Sequence, residues 1–364
     1  MGNENQSTIG RLPPEASKEI VDGETIVALH EPLSGSTAHV VPAIGSNICR
    51  FQTNVGGRAV AVLASPPDMA TLRKLPTRWG SGVLFPYPGR VSGDSFEFRG
   101  EQIRLLPDPA TGNAMHGVVR RREWRIVDMG ASPSRGAWVQ TALSSRQDDI
   151  RTEEWPYAFS ISLRIQLLGG RLRTEVNIRN EGDKPMPFGL GFHPYFPTPL
   201  GNIGSQERCE IEIPADERWT NLLEPLAHVA PIGPADWPRR PLPIDDIEIN
   251  MKTDRGAIRN HWFSFHDDGN SLPRLLGRIV DPDNHVEVSV LASSEFKAAI
   301  FYTPPGLSTA SIEPHSGMPN AFNLTGAGRP DPGLGVVEPG SAWSAWYEIA
   351  ASTLNDYRPQ HSTL

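Results

Sequence analysis

Short apolar runs that alternate with polar residues fill most of this chain from Thr25 onward. The clearest alternation places apolar side chains at every second position of two neighbouring segments, 159–167 and 172–178. Alternation with a period of two is typical of a half-buried strand. Gly169-Gly170 between the two segments suits a tight turn in which both central residues take positive φ. These residues therefore predict a β-hairpin.

Further strands and one short helix follow from the same kind of pattern. Strand patterns rich in apolar residues occur at 96–98, 103–105, 286–290, 298–302 and 343–349. A helix is predicted over 68–75, between Pro67 and Pro76. Strands do not alternate with long helices, and no repeat with a period of about 20–50 residues occurs. We therefore predict an all-β fold, one large antiparallel β-sandwich with few short helices.

Composition agrees with a protein that has many turns. The chain of 364 residues contains 34 Gly and 35 Pro, well above average usage but short of low complexity. The length alone would allow more than one domain. However, strand patterns of the same kind lie on both sides of the Pro-rich segment 225–243, which we interpret as a long loop. We predict a loosely ordered N-terminal extension over 1–22 and a single β-sandwich domain over 23–357.

Charge and hydropathy limit the possible partners and location. The 34 Lys and Arg against 42 Asp and Glu give a net charge of −8, which argues against nucleic acid or an anionic membrane as the main partner. No apolar run is long enough to span a membrane, and the N-terminus lacks a basic start followed by an apolar run. Two cysteines exclude a disulfide scaffold and a four-thiolate zinc site. We expect a cytoplasmic protein.

Ionisable side chains lie among Gly, Pro and aromatic residues in four segments. These segments are FPYPGR (85–90), NAMHG (113–117), FGLGFHPYF (188–196) and IEPH (312–315). Each group also has an ordinary structural explanation. A His at an aromatic strand end is often only hydrogen-bonded, Arg90 could form a surface ion pair, and Glu313 could accept a backbone N–H at a turn. Taken separately, none of these segments identifies a function.

Taken together and in this order, the segments resemble the galactose mutarotase (aldose 1-epimerase) superfamily. The matching pieces are FPYPGR, MHG with a downstream Trp, WPYAFS leading into the hairpin, GFHPYF, LPIDD, IEPHSGMPNAFN and VEPGSAWSAWYEI. The resemblance extends from about Gly80 to Ala350 and implies the galactose mutarotase-like supersandwich. The HPYF form, in place of an HSYF-like form, is closer to the broader bacterial branch, whose members are often not assigned to one sugar.

The resemblance implies a function, the interconversion of the α and β anomers of an aldose. Glu313 would be the general base that removes the proton of the anomeric hydroxyl, and His193 the general acid that protonates the ring oxygen. Opening a cyclic hemiacetal needs both steps, and a carboxylate and an imidazolium can each serve near neutral pH. We expect the two charges to stabilise each other. No metal, cofactor or covalent intermediate is needed.

The same resemblance implies three groups that hold the sugar. His116 and Arg90 would hydrogen-bond the ring oxygen or nearby hydroxyls. Asp245, the first acid of LPIDD, would hold sugar hydroxyls, although Asp246 beside it leaves the alignment open by one position. The expected partner is thus a small-molecule sugar. The sequence does not specify which sugar it is, whether it is phosphorylated, or the oligomeric state of the protein.

Two alternatives belong to other functional classes. His116, His193 and Glu313 have the composition of a two-His, one-carboxylate metal site, but no His-x-Asp/Glu or His-x-x-x-His pair supports one. The second alternative is a non-catalytic carbohydrate-binding protein with the same fold. Such a protein would need neither the acid His193 nor the base Glu313.

A third alternative keeps the chemistry but changes the substrate to a hexose 6-phosphate. Arg120, Arg121 and Arg122 closely follow the MHG segment and could contact a phosphate. Such a site would need a further arginine from elsewhere in the chain, such as Arg90 or Arg58. Charges in water on a turn are the ordinary explanation.

Overall fold

The computed structural model of this chain describes residues 12–108, 112–220, 231–234, 241–249, 251–253, 256–267, 269, 273–328 and 331–354. These residues form two α-helices, α1 Met69–Lys74 and α2 Ala321–Gly326, and 28 strands. The strands are β1 Glu15–Val21, β2 Glu24–Glu31, β3 Ser36–Val41, β4 Asn47–Val55, β5 Arg58–Ala61, β6 Ser81–Leu84, β7 Arg90–Val91, β8 Ser95–Phe98, β9 Glu101–Arg104, β10 Ala114–Met115, β11 Arg125–Ser132, β12 Gly136–Ser144, β13 Phe159–Leu168, β14 Arg171–Asn180, β15 Met186–Phe188, β16 Gly191–Pro197, β17 Glu210–Glu212, β18 Glu217–Trp219, β19 Pro231–Pro234, β20 Leu242–Pro243, β21 Met251–Thr253, β22 Gly256–Ser264, β23 Arg274–Asp281, β24 Val286–Ala292, β25 Ala298–Thr303, β26 Thr309–His315, β27 Gly335–Val337 and β28 Ala342–Thr353.

Two large antiparallel sheets contain most of these strands. The first has 13 strands, in the order β1-β2-β3-β4-β6-β16-β26-β25-β22-β18-β19, with β5 paired to β4 and β21 paired to β22. The second has nine strands, in the order β11-β12-β13-β14-β28-β24-β23-β17-β20. Three two-stranded sheets, β7/β10, β8/β9 and β15/β27, lie beside them. This architecture confirms the predicted all-β antiparallel sandwich with few short helices.

One apolar core contains residues of both large sheets. In β13 every second residue from Phe159 to Leu167 is buried, as the alternation predicts. Val27 and Leu29 of β2 in the first sheet belong to the same buried cluster. Full burial of a side chain of this kind contributes about 1.5–3 kcal/mol. The two inner faces therefore hold the sandwich together.

The predicted hairpin and helix are both present. β13 and β14 pair out to Leu168 and Arg171, and the turn between them has Gly169 at φ 58° and Gly170 at φ 76°. α1 begins after Asp68, whose carboxylate accepts a hydrogen bond from the backbone N–H of Thr71 at 2.6 Å. That bond satisfies one of the free donors at the helix start.

The predicted extension over 1–22 is wrong for residues 15–21, which form β1. This strand pairs with β2 from Glu15↔His30 to Val21↔Glu24 and is the edge strand of the first sheet. No residue of β1 is fully buried. Backbone hydrogen bonds hold it more than apolar burial does, so its sequence lacks the pattern that reveals the other strands. Residues 1–11 lie outside the described residues, and the single domain over 23–357 remains a prediction.

The predicted loop over 225–243 also differs in part. It contains β19, which pairs with β18, and β20, which pairs with β17. Residues 225–230 and 235–240 of this segment lie outside the described residues. None of the helices that the structure describes is long and apolar enough to cross a membrane.

Candidate active site

Two neighbouring strands in the interior of the first sheet bring the predicted acid and base together. Tyr195 of β16 pairs with Ser311 of β26, so two residues further along His193 lies opposite Glu313. Opposed side chains of an antiparallel pair have Cβ atoms about 4.5–5.5 Å apart. The His193 Nε2 and Glu313 Oε1 atoms are 3.3 Å apart, and both side chains are buried. Sheet register therefore fixes a direct contact between residues 120 positions apart in the chain.

A second histidine contacts the other oxygen of this carboxyl group. His315 Nε2 lies 3.2 Å from Glu313 Oε2. Burial lowers the pKa of His315 to about 3, so its ring is neutral and donates Nε2–H to Glu313. A Cβ atom at Gly191, the cross-strand partner of His315, would lie 2.7 Å from the His315 ring, so only glycine leaves room for this ring. The sequence analysis missed His315, although a His two residues after Glu313 on one strand shares its face.

The hydrogen bonds around His193 define which nitrogen carries its proton. The Ser311 hydroxyl donates to the Pro194 carbonyl oxygen at 2.6 Å, so its oxygen is left to accept from His193 Nδ1–H at 3.2 Å. In the neutral ring, Nε2 therefore carries the lone pair, and its neighbours are Glu313 Oε1 at 3.3 Å and the Tyr195 hydroxyl at 3.4 Å. The Tyr195 ring stacks on the His193 ring with centroids 4.6 Å apart. These contacts fix the orientation of the imidazole.

Burial determines the charge of the pair. It raises the pKa of Glu313 to about 7, against the opposing attraction of His193. It also lowers the pKa of His193, an effect that the Glu313 charge opposes. The expected pair of stabilised charges is thus wrong for the unliganded protein, because desolvation exceeds the mutual attraction. The pair favours one proton on Glu313, donated to His193 Nε2.

The pair contributes to the wall of a pocket of about 370 Å³. Its described lining residues are Leu75, Pro76, Thr77, Arg78, Gly89, Arg90, Asp108, Met115, His116, Arg120, Arg121, His193, Tyr195, Ile258, Asn260, Trp262, Ile300, Tyr302, Glu313, His315 and Pro319. Four of the five predicted site residues are therefore in one pocket. Aromatic and apolar side chains next to convergent polar groups are typical of small-molecule sites.

His116 has an unusual backbone conformation in this pocket. Its φ is 58°, in the left-handed region that costs a non-glycine residue free energy and that often marks functional sites. Gly117, at φ 66°, packs so closely on Phe85 that a Cβ atom would lie 1.9 Å from the Phe85 carbonyl oxygen. The His116 and His193 rings meet edge to face at 5.7 Å. The strained turn thus holds His116 against the acid–base pair.

His116 is neutral in this environment. Burial lowers its pKa well below the ordinary value, and the neighbouring charges of His193 and Arg120 add to that effect. Its Nδ1 atom is buried and has no hydrogen-bond partner among the described residues. A neutral imidazole with an unused nitrogen can exchange hydrogen bonds with a hydroxyl group.

Asp245 is the one predicted site residue that the structure places elsewhere. It belongs to a 3-10 turn, Ile244–Asp246, and its Oδ1 atom lies 3.1 Å from Nη2 of Arg259. Neither Asp245 nor Asp246 is among the described residues of the pocket wall. The Asp245 carboxylate pairs instead with the buried guanidinium of Arg259, so the structure does not bring Asp245 to the other four residues, and its contact with sugar hydroxyls stays a prediction.

His116, His193 and Glu313, the three residues of the metal-site alternative, do meet in the pocket. Across the described ranges of the chain, however, no group of three or more His, Cys, Asp or Glu side chains is arranged to hold a metal ion. The arrangement that is present is a carboxyl–imidazole pair with one shared proton. Such a pair can accept a proton at one atom and donate one at another.

Glu313→Gln is expected to stabilise the fold at pH 8. Burial raises the Glu313 pKa from 4.5 to about 7, so the unfolded chain ionises first and stability is lost as pH rises between these values. At about 1.4 kcal/mol per pKa unit, we expect the variant to recover roughly 1–3 kcal/mol at pH 8 and almost nothing at pH 4. Urea denaturation at both pH values measures this difference.

Glu287→Gln is the matched control, because it removes a buried carboxylate that is paired. Glu287 accepts from Arg278 Nη1 at 2.8 Å and from the Ser352 hydroxyl at 3.0 Å. Its amide variant should lose about 1–3 kcal/mol, since bonds to charged groups are weakened. Equal destabilisation by both variants at pH 8 would contradict the raised pKa of Glu313.

Comparisons with known proteins agree with this fold. The family model for aldose 1-epimerase matches residues 31–350. The structure is similar to a galactose mutarotase-like protein from Clostridium acetobutylicum, with a TM-score of 0.76, 18% identity and coverage of 94% of this chain and 99% of that one. It is also similar to galactose 1-epimerase from Lactobacillus acidophilus NCFM, with a TM-score of 0.68, 17% identity and coverage of 94% and 99%. These similarities show a galactose mutarotase-like fold.

One curated relative is the uncharacterized protein YphB of Escherichia coli (strain K12). It is 28% identical to this chain over 130 residues. The matched stretch covers 34% of this chain and 39% of YphB, so it spans less than half of that relative's length.

Proposed function

The chain belongs to the aldose 1-epimerase family, and on that premise we propose that it interconverts the α and β anomers of an aldose. The observation that carries the proposal is the direct opposition of His193 and Glu313, 3.3 Å apart in the pocket wall. A binding protein without turnover has no need for an aligned carboxyl–imidazole pair. The alternative of a non-catalytic sugar-binding protein therefore explains less of the geometry.

In the proposed reaction, Glu313 and His193 act on two oxygens of the sugar. The Glu313 carboxylate takes the proton of the anomeric hydroxyl, while His193 Nε2–H protonates the ring oxygen. The bond between the anomeric carbon and the ring oxygen breaks, and an aldehyde and a free hydroxyl form. Rotation about the C1–C2 bond presents the other face of the aldehyde. Ring closure then returns each proton by the reverse path.

The protonation of the pair suits a reaction that uses both directions equally. Ring opening requires ionised Glu313 with protonated His193, and ring closure requires the opposite distribution. The two states contain the same number of protons and differ by one proton transfer. Because burial raises the Glu313 pKa and lowers that of His193, the two groups approach each other in proton affinity. Matched affinities favour general acid–base catalysis in both directions.

His116 and Arg90 are proposed to hold the sugar. The neutral His116 ring, edge to face with His193, can bond the ring oxygen or an adjacent hydroxyl. Arg90 lies in the same pocket wall, and its guanidinium donates only. Together they would orient the ring so that its two reacting oxygens meet Glu313 and His193. Hydroxyl contacts of this kind supply orientation rather than proton transfer.

Acceleration of anomer exchange is the direct test of the function. Freshly dissolved α-glucose and α-galactose are followed by polarimetry with the native protein and with heat-denatured protein. The native protein should shorten the time to equilibrium in proportion to its concentration. A folded protein that accelerates no aldose would contradict the proposal.

The pH profile of kcat/KM is expected to fall above pH 7. The pair must hold one proton, and with a Glu313 pKa of about 7 that proton is lost at higher pH. Activity should then drop about tenfold for each further pH unit. At low pH the pair binds a second proton, and activity is lost because no group can then accept a proton. Since the pKa of His193 is lowered from its ordinary value, we expect this loss of activity below about pH 6.5.

Exchange rates between pH 4.5 and pH 9.5, corrected for spontaneous mutarotation, would measure this profile. A profile that stays flat through pH 9, or that declines from pH 5 upward, would contradict the shared proton. Because the two groups interact, the measured values belong to the pair and not to either residue.

A further inference from the structure

The pocket wall is strongly cationic although the whole chain is acidic. The net charge of the chain is −8, yet four arginines line this pocket, namely Arg78, Arg90, Arg120 and Arg121. Asp108 and Glu313 are the carboxyl side chains among the described lining residues, and burial raises the pKa of Glu313 to about 7, so it carries only part of its negative charge near neutral pH. The pocket therefore has the opposite charge to the chain as a whole.

Two of these arginines already bind backbone carbonyl oxygens. Arg120 Nη1 donates to Met115 at 2.7 Å and to Gly117 at 2.5 Å. Arg121 donates to Arg73 at 3.2 Å near the end of α1. These bonds hold both cations in place but use part of their donor capacity.

The third arginine of the RRR segment pairs with a carboxylate. Arg122 Nη2 lies 2.5 Å from Glu154 Oε1. Arg120, Arg121 and Arg122 line a neighbouring pocket together, and Arg120 and Arg121 also line this one. That these three arginines bind a phosphate as a group stays a prediction.

Arg78 and Arg90 are different, because no described residue accepts a hydrogen bond or forms an ion pair with either guanidinium. Both side chains are half-buried in the pocket wall. Tyr302 lines the same wall; burial raises the pKa of its hydroxyl, and the charges of Arg78 and Arg90 oppose that rise. A partly desolvated guanidinium without a partner in the protein is suited to an anionic ligand, which it can bind through two parallel bonds.

Arg78 and the acid–base pair line the same pocket of about 370 Å³. A sugar whose reacting oxygens meet His193 and Glu313 therefore lies in one cavity with the Arg78 guanidinium. An anionic group on that sugar can form its ion pair inside the same pocket.

We propose that the substrate is an aldose with an anionic substituent, bound by Arg78 together with Arg90. The proposal rests on the function proposed above and specifies its substrate class. Phosphate monoesters and carboxylates share the chemistry that would be recognised, which is two or more anionic oxygens. Neutral sugars would leave the Arg78 guanidinium without its ion pair.

The test compares glucose, glucose 6-phosphate and glucuronic acid in a buffer free of phosphate. Anomer exchange is followed by NMR, and binding is measured separately by calorimetry. The variants are Arg78→Met, Arg78→Lys and the matched control Arg179→Met. Arg179 is exposed on β14 of the other large sheet and does not line the pocket, so its variant makes the same charge change away from the site.

We expect kcat/KM for an anionic sugar to exceed that for glucose by at least about tenfold. Loss of a charge-assisted bond corresponds to about 10–100-fold, so Arg78→Met should reduce the preference by that factor. Arg78→Lys should keep part of it, and Arg179→Met all of it. Whichever of glucose 6-phosphate and glucuronic acid is favoured identifies the anionic group.

Two results would overturn the proposal. One is equal kcat/KM for glucose and both anionic sugars, which would leave the mutarotase function standing alone. The other is a loss in Arg78→Met that is the same for all three sugars. If no sugar is turned over, the proposed mutarotase function is wrong. The anion site is then tested by the binding affinities measured by calorimetry. Tighter binding of an anionic sugar that Arg78→Met abolishes then supports the anion site, whereas equal or absent binding overturns it.

Discussion

Glu313→Gln is expected to reduce anomer exchange by about 10²–10⁴-fold while the protein still binds its sugar. The amide has the shape of the carboxyl group and can still accept from His315 and donate to His193. It cannot take up or release the proton of an anomeric hydroxyl. The expected loss is therefore in kcat, with little change in the affinity measured by calorimetry.

Glu287→Gln makes the same chemical change outside the pocket and serves as the control. Its exchange rate should stay within about threefold of the wild type, because Glu287 pairs with Arg278 and does not line the pocket. A Glu313→Gln protein that binds sugar and exchanges anomers at the wild-type rate would contradict the acid–base proposal. Binding without exchange in the wild type itself would support the sugar-binding alternative.

His193→Asn is expected to cause a loss of similar size, about 10²–10⁴-fold, and to change the form of the pH profile. Without His193, ring-oxygen protonation depends on water. The attraction that lowers the Glu313 pKa is also removed, so that pKa rises above its wild-type value. The residual rate then depends on ionised Glu313 alone and increases with pH, whereas the wild-type rate falls above pH 7.

His261→Asn is a suitable control for this variant. His261 is buried on β22 of the same sheet, and its Nε2 atom donates to the Glu248 carbonyl oxygen at 2.8 Å, away from the pocket lining. Its exchange rate and pH profile should remain close to those of the wild type. A His193→Asn protein with an unchanged pH profile would show that His193 is not one of the titrating groups.

Local patterns in the sequence predicted the fold class, and a family resemblance predicted much of the pocket. The alternation in β13 and β14 and the Gly169-Gly170 turn gave the hairpin and the all-β class, because strand periodicity is visible in a short window. The resemblance of the ordered motifs to the aldose 1-epimerase superfamily implied Arg90, His116, His193 and Glu313, which the structure brings into one pocket. Their proposed roles depend on the experiments above.

Other features depend on contacts between distant residues, which a single sequence does not reveal. The carboxylate of Asp245 binds Arg259 on β22, and no local pattern distinguishes that contact from one with a ligand. β1 is held by its ladder with β2 and has few apolar residues to show it. The neutral pair of Glu313 and His193 depends on how deeply the sheet interior buries them, which residue types alone do not specify.

The acid–base pair and the proposed anion site lie on elements of different kinds. His193 and Glu313 occupy adjacent strands inside a 13-stranded sheet, whereas Arg78 lies in the turn after α1 and Arg90 in the two-residue strand β7. Short surface segments tolerate replacement far better than interior strands do. Substrate preference in such a protein can therefore evolve, or be engineered, by substitution at Arg78 and Arg90, while the reaction chemistry is inherited unchanged.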